Sequence, residues 1–126
     1  MLESVNSLLL ILLMSAKKKP MPPAVLQHVA RRFALLGDPT RLAILQCLMT
    51  GELPVNDIVD ATGASQANVS CHLKVLHDAA LVSRRRQGVQ VFYGIADPTL
   101  FKLCELVCVS LADKAVAEAQ SLRAHA

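Results

Sequence analysis

Apolar residues recur along most of this chain with a helical period, and the breaks between runs fall at glycine or proline. From Ala24 to Leu36, the residues Val25, Val29, Phe33 and Leu36 share one face, which predicts a helix ended by Gly37. Asp38-Pro39 supplies a cap and a first-turn proline for the next helix. It runs to Met49 with Leu42, Leu45 and Leu48 or Met49 turned inward, and Thr50-Gly51 stops it. Leu53-Pro54-Val55 reads as a brief extended link. Asn56 to Leu76 then predicts two short helices around a glycine turn. Asn56 is the expected N-cap of the first, with Ile58, Val59 and Ala61 on its apolar side and Gly63 at its end. Ser65 is expected to cap the second, in which Val69, Leu73 and Leu76 fall at i, i+4 and i+7.

Past His77-Asp78-Ala79-Ala80 the pattern changes. Leu81–Arg86 and Val89–Ile95 read as two strands around a Gln87-Gly88 turn, because the second is rich in β-branched and aromatic residues. Asp97-Pro98 repeats the cap-plus-proline start, and a last helix runs from Pro98 to about Arg123, a length of about 39 Å. Its stripe is Leu100, Leu103, Cys104, Val107, Cys108 and Leu111, fading through Ala115. An apolar face longer than a small domain needs marks this helix as a dimerisation element.

The outward face of the helix after Ser65 carries Gln66, Ala67, Ser70, Cys71 and Lys74. Short hydrogen-bonding side chains and a lysine opposite one buried stripe suit a helix inserted in a DNA major groove. Composition agrees with a small helical domain. The 126 residues are 53% hydrophobic yet include one Tyr, three Phe and no Trp, so the core is aliphatic. A net charge of +3 is mild. Its placement matters more: Lys17–Lys19, Arg31-Arg32 and Arg84–Arg86 are clusters suited to an anionic partner.

Residues 1–20 are read apart from the domain at 21–126. Leu8 to Met14 is almost wholly apolar, but Glu3 precedes it and the lysines follow, the reverse of a secretory signal. It is also far shorter than the roughly 20 residues of a membrane span, so no membrane partner is expected. Three readings are open: a helix packing in a dimer, an interfacial anchor, or a start placed too far upstream, with Met14 or Met21 the true one. The four cysteines, Cys47, Cys71, Cys104 and Cys108, lack the context of a disulfide framework and fit reduced thiols of a cytoplasmic protein. No CxxC, HExxH or tight Cys/His cluster points to structural zinc. Cys71 and His72 do not make a catalytic pair, because adjacent helical residues point about 100° apart. No enzymatic activity is expected.

The succession of helix, helix, helix-turn-helix, basic hairpin and long helix is that of a winged helix-turn-helix: mainly α with a small β-hairpin. Three phrases resemble the ArsR/SmtB family of bacterial repressors: FALLGDPTRLAIL at 33–45, ASQANVSCHLKVLHDAALV at 64–82 and RRRQGVQVFYGIADP at 84–98. The resemblance covers roughly residues 24–112. It implies a homodimer, paired through terminal helices, that binds double-stranded operator DNA with an inverted repeat. It also implies release by a metal, metalloid or thiol-reactive signal. Carried onto this chain, the groove-facing residues are Ser65, Gln66, Asn68, Ser70, Cys71 and Lys74. His72 packs as much as it contacts, and Arg84, Arg85 and Arg86 lie on the wing.

Two familiar sensor sites of that family are missing. Glu52–Ile58 stands where a cysteine-containing ELCVCDL-like stretch would be, and the last helix has only Asp97, Asp113, Glu118 and His125 where a zinc site would need an Asp-x-His with a later His and acid. What remains are thiols. Cys104 and Cys108 at i, i+4 lie about 6 Å apart, too far for a disulfide within one helix. They are suited to sharing arsenic(III) or another soft ion as inducer, with a third ligand from elsewhere, or, across a dimer of these helices, to oxidation to an inter-subunit disulfide. They are equally placed for plain packing, since cysteine is among the most buried residue types. Cys47 is expected in the core. Cys71, exposed beside His72, is a candidate reactive thiol or a small groove-lining residue. The expected protein is therefore an ArsR-type DNA-binding repressor released by a thiol-directed signal, or a ligand-independent regulator whose cysteines only pack. No resident cofactor is required.

Overall fold

The computed structural model describes Leu9 and residues 20–125, so the expectations about the N-terminal apolar run lie outside the described residues. Among these, five helices and three short strands occur in the order α1 (Pro23–Leu36), α2 (Pro39–Leu48), β1 (Leu53–Pro54), α3 (Val55–Thr62), α4 (Gln66–Asp78), β2 (Val82–Gln87), β3 (Gln90–Ile95) and α5 (Thr99–Ala124). The chain divides into two units at Asp38-Pro39. In the first, α1 starts with proline in its first turn and ends at Gly37, whose N–H donates to the Ala34 carbonyl at 3.3 Å. Leu36 is buried and Val25 and Val29 are half-buried, whereas Phe33 of the same stripe is exposed.

In the second unit the core is aliphatic, as the composition requires. Ile44, Leu45 and Leu48 of α2, Ile58 of α3, Val69, Leu73 and Leu76 of α4, and Leu81, Val82 and Leu100 are almost wholly removed from water. At about 1.5–3 kcal/mol for each fully buried aliphatic side chain, this cluster dominates the favourable side of folding. Leu42, expected inward, is instead exposed, and Ile44 takes its place in the core. The inward arc of α2 is centred on Ile44, Leu45 and Leu48, and Leu42 lies just outside it.

The helix-turn-helix forms where the periodicity places it, with one correction at its start. Asn56 does not cap α3. The helix begins two residues earlier than that cap would set it, at Val55, with Pro54 in the cap position and no side-chain cap bond. The cause lies outside the local sequence: Leu53 and Pro54 pair with Tyr93 and Phe92, so the expected link is a strand that delivers an extended backbone directly to Val55. Asp57 in the first turn then meets the positive end of the helix dipole. Gly63 ends α3 in the left-handed region at φ 69°, donating to the Val59 carbonyl at 2.9 Å. Ser65 caps α4 as expected, its hydroxyl accepting the Asn68 N–H at 3.2 Å.

At the other end of α4, Ala80 takes φ 60°. The Ala80 N–H donates to the His77 carbonyl at 2.9 Å and the Leu81 N–H to the Leu76 carbonyl at 3.0 Å, the two bonds of a Schellman motif, with Leu76 and Leu81 both fully buried. Helix stop and core packing are thus one event.

The sheet has strand order β1-β3-β2, all antiparallel. Gln87 pairs with Gln90, so the hairpin turn is Gly88-Val89, one residue later than expected from sequence. Gly88 sits at φ 63°, as the first central position of a type II′ turn requires, and Val89 becomes the tip, almost fully exposed. Helix α5 begins at Thr99 rather than Pro98, and Asp97 supplies the capping oxygen by accepting the Thr99 N–H at 3.0 Å. Only its first turns are covered. Leu100 is buried, Leu103 and Cys104 are half-buried, and Leu106, Val107, Val109, Leu111, Val116 and Leu122 are all at least half exposed.

The left-handed alanine yields a direct prediction. Ala80→Gly removes the steric cost of a Cβ at φ 60° and should raise unfolding stability by about 0.5–1 kcal/mol. Urea melts of the two proteins would show a higher midpoint at unchanged slope.

Candidate nucleic-acid interface

Three apolar side chains of α4 face inward, and what remains of the helix faces out. Gln66, Ala67, Asn68, Ser70, Cys71 and Lys74 are all exposed, as is Ser65 at its start. His72 is half-buried. Helix α4 rests on α2, α3 and β2, so the outward face is held by packing on three sides. The structure therefore brings the predicted helix residues into one surface.

It does not do the same for the three wing arginines. Successive strand residues point to opposite faces, and the register pairs Arg84 with Tyr93, Arg85 with Phe92 and Arg86 with Val91. Arg84 and Arg86 share one face and Arg85 takes the other. On that other face Arg85 is fully engaged. Its Nε and one terminal nitrogen donate to Glu52 Oε2 at 3.0 and 2.8 Å, and its second terminal nitrogen donates to Gln87 Oε1 at 2.8 Å. The guanidinium also lies 4.8 Å from the Phe92 ring centroid, a cation–π contact. Gly94 is what lets Glu52 lie there: a Cβ on it would come within 3.0 Å of Glu52 Cγ and 3.2 Å of Ser83 Oγ. Arg85 ties the wing to the segment before β1.

The opposite face of the wing opens toward α4. Lys74 and His77, one turn apart on α4, and the cross-strand pair Arg84 and Tyr93 line a cleft of about 330 Å³. His77 and Tyr93 were not among the residues singled out from sequence. His77 could have been found at i+3 from Lys74. Tyr93 could not, because a turn at Gln87-Gly88 would have set Arg84 opposite Val91.

The cysteines separate by environment. Cys47 is partly buried in α2, its thiol donating to the Ile44 carbonyl at 3.0 Å. Burial pushes the Cys47 thiol above its ordinary value, with a backbone hydrogen bond pulling the other way. Cys71 and Cys108 are exposed and Cys104 is half-buried. Among the described residues, no three His, Cys, Asp or Glu side chains come together in a way that could hold a metal ion. No helix of these residues is long and apolar enough to cross a membrane.

Residues 38–84 match the arsR family of bacterial regulatory proteins. A probable mercury resistance operon repressor of Streptomyces lividans is 42% identical over 88 residues, which span 70% of this chain and 70% of that protein. The chain belongs to the ArsR family. Members of the family are DNA-binding transcriptional regulators, not enzymes. Solved structures place the fold in the same group. The AntR antimony-specific transcriptional repressor superposes with a TM-score of 0.69 at 30% identity, covering 82% of this chain and 94% of that one. A homodimeric winged helix-turn-helix DNA-binding domain from Mycobacterium bovis, solved by NMR, gives 0.64 at 38% identity, covering 74% and 85%. The winged helix-turn-helix architecture expected from sequence is the one observed, with a third strand added.

Two outcomes follow for this ArsR-family chain. In a double-mutant cycle with Glu52→Gln and Arg85→Gln, the half-exposed ion pair should show a coupling of about 0.5–1 kcal/mol in urea melts, falling with added salt. In timed alkylation followed by mass spectrometry, Cys71 and Cys108 should react first and Cys47 last. Because its thiolate forms only at higher pH, Cys47 should gain most in rate as the pH is raised.

Proposed function

We propose that this ArsR-family regulator is a homodimeric repressor that holds operator DNA through α4 and leaves it on a thiol-directed signal at Cys104 and Cys108. The observation that carries the reading is the exposed face of α4. Gln66 and Asn68 have the amide groups that bond adenine edges, Ser65 and Ser70 suit bases or phosphate, and Lys74 suits the backbone. Cys71 lines the same face as a small side chain, with His72 at its edge. On the wing, Arg84 and Arg86 are the backbone contacts, while Arg85 serves mainly to hold the hairpin in place. The exposed apolar residues of α5 support pairing with a second copy, as in the homodimeric Mycobacterium bovis domain.

For the signal, α5 offers two thiols and, among the described residues, no third donor gathers with them, so a soft ion such as arsenic(III), cadmium or mercury would complete its ligand set from the second subunit. The names of the mercury and antimony repressors among the relatives favour a soft element. Because Cys104 and Cys108 lie on the same helix as the dimer stripe, an ion bound there acts on the angle between subunits. Operator binding requires the two recognition helices to meet half-sites about 34 Å apart, so a changed angle costs affinity at both.

Gel-shift titration of the protein on its own upstream region, with arsenite, cadmium or peroxide added, tests the whole reading. Binding should be lost with at least one of the three, and Cys104→Ser/Cys108→Ser should keep DNA affinity while losing the response. Unchanged binding in all three would favour the ligand-independent regulator. Gln66→Ala should weaken operator binding by about 1–3 kcal/mol and relax base preference at one position per half-site.

A further inference from the structure

Every side chain that lines the cleft between α4 and the wing can donate a hydrogen bond. Lys74 and Arg84 carry positive charge, His77 and Tyr93 each bear a hydrogen-bonding group, and no carboxylate is among the four side chains that line it. Among the described residues none of these four side chains has a hydrogen-bond or ion-pair partner, in contrast to Arg85 one position along β2. Two independent elements contribute, so the group that fits there is held from both sides. The cleft also adjoins the surface that reads DNA, since Lys74 belongs to both.

We propose that this cleft seats one backbone phosphate of the bound duplex, with His77 and Tyr93 acting as DNA-contacting residues alongside Lys74 and Arg84. The inference rests on the DNA-reading role assigned to α4. Charge placement explains why the cations are needed: His77 lies in the last turn of α4, where the helix dipole presents its negative end and disfavours a phosphate. Lys74 and Arg84 outweigh that repulsion, while His77 and Tyr93 complete the hydrogen bonds to the non-bridging oxygens. A phosphate held between helix and wing fixes the spacing of the two elements on the duplex. It carries no sequence information, so its loss weakens all duplexes alike.

The test compares the full-length protein with His77→Ala and Tyr93→Phe, both at positions outside the buried core. Anisotropy titrations use a random-sequence duplex and the upstream fragment, and NMR follows the His77 and Tyr93 ring resonances as duplex or inorganic phosphate is added. Each variant should bind both duplexes roughly 3- to 10-fold more weakly, by the same factor, at unchanged melting temperature. Both rings should shift on adding duplex. Affinities equal to that of the unaltered protein would overturn the inference while leaving the reading face intact. So would a loss confined to the upstream fragment, which would make these residues base readers. Rings that shift with inorganic phosphate but not with duplex would assign the cleft to a free anion and overturn the backbone seat. Failure of the unaltered protein to bind either duplex would remove the DNA-reading role itself.

Discussion

The orientation of α4 about its own axis is the constraint on which the rest of this molecule depends. Val69, Leu73 and Leu76 have no exposed surface, and turning the helix by one residue, about 100°, would replace them in the core with polar neighbours such as Ser70 and Lys74. Exposing three aliphatic side chains, at about 1.5–3 kcal/mol each, and burying unpaired polar ones would cost about as much as the 5–15 kcal/mol by which domains are stable. The exposed surface proposed to enter the groove is thus a consequence of burial on the opposite side. Both ends of the helix are set as firmly, by the Ser65 cap and by the Schellman stop that draws Leu81 onto Leu76. That exposed surface has a fixed length as well as a fixed direction.

The wing solves a different problem, which is how a run of three arginines is divided between its two faces. Strand alternation does the sorting. Arg85 meets a carboxylate, an amide and an aromatic face, and Arg84 and Arg86 are left on the side shared with Tyr93. A hairpin of six-residue strands is marginal alone. Here it gains a third strand from Leu53-Pro54 and an ion pair from Glu52, both supplied by the segment that precedes the helix-turn-helix.

What was legible from the residues was mostly local. The period of Val69, Leu73 and Leu76, the glycine at 63, the serine at 65 and the change to a β pattern after Ala80 each rest on interactions within a few residues, and each is found. What was missed is non-local. Asn56 has the chemistry of a cap, but the position of the helix start is decided by Tyr93 and Phe92, some 40 residues on, which hold Leu53 and Pro54 extended. The hairpin turn lies one residue later because Gly88 serves at the first turn position, and that displacement alone hides the pairing of Arg84 with Tyr93. Nothing in a run of three arginines announces that the middle one answers to Glu52. Leu42 fails for a simpler reason: an apolar residue at the margin of a stripe can be left at the surface at little cost.

The bond between Glu52 and Arg85 joins residues 33 apart in the chain, and every part of the helix-turn-helix lies between them. Together with the Leu53–Tyr93 pairing, it closes the helix-turn-helix into a loop whose two ends are stapled side by side. A closed loop of this kind does not fray from its ends. What couples the helices to the hairpin is the core they share, Ile58, Val69, Leu73, Leu76, Leu81 and Val82, so their amide protons are expected to exchange with solvent slowly and at similar rates, and those of the exposed outer turns of α5 faster.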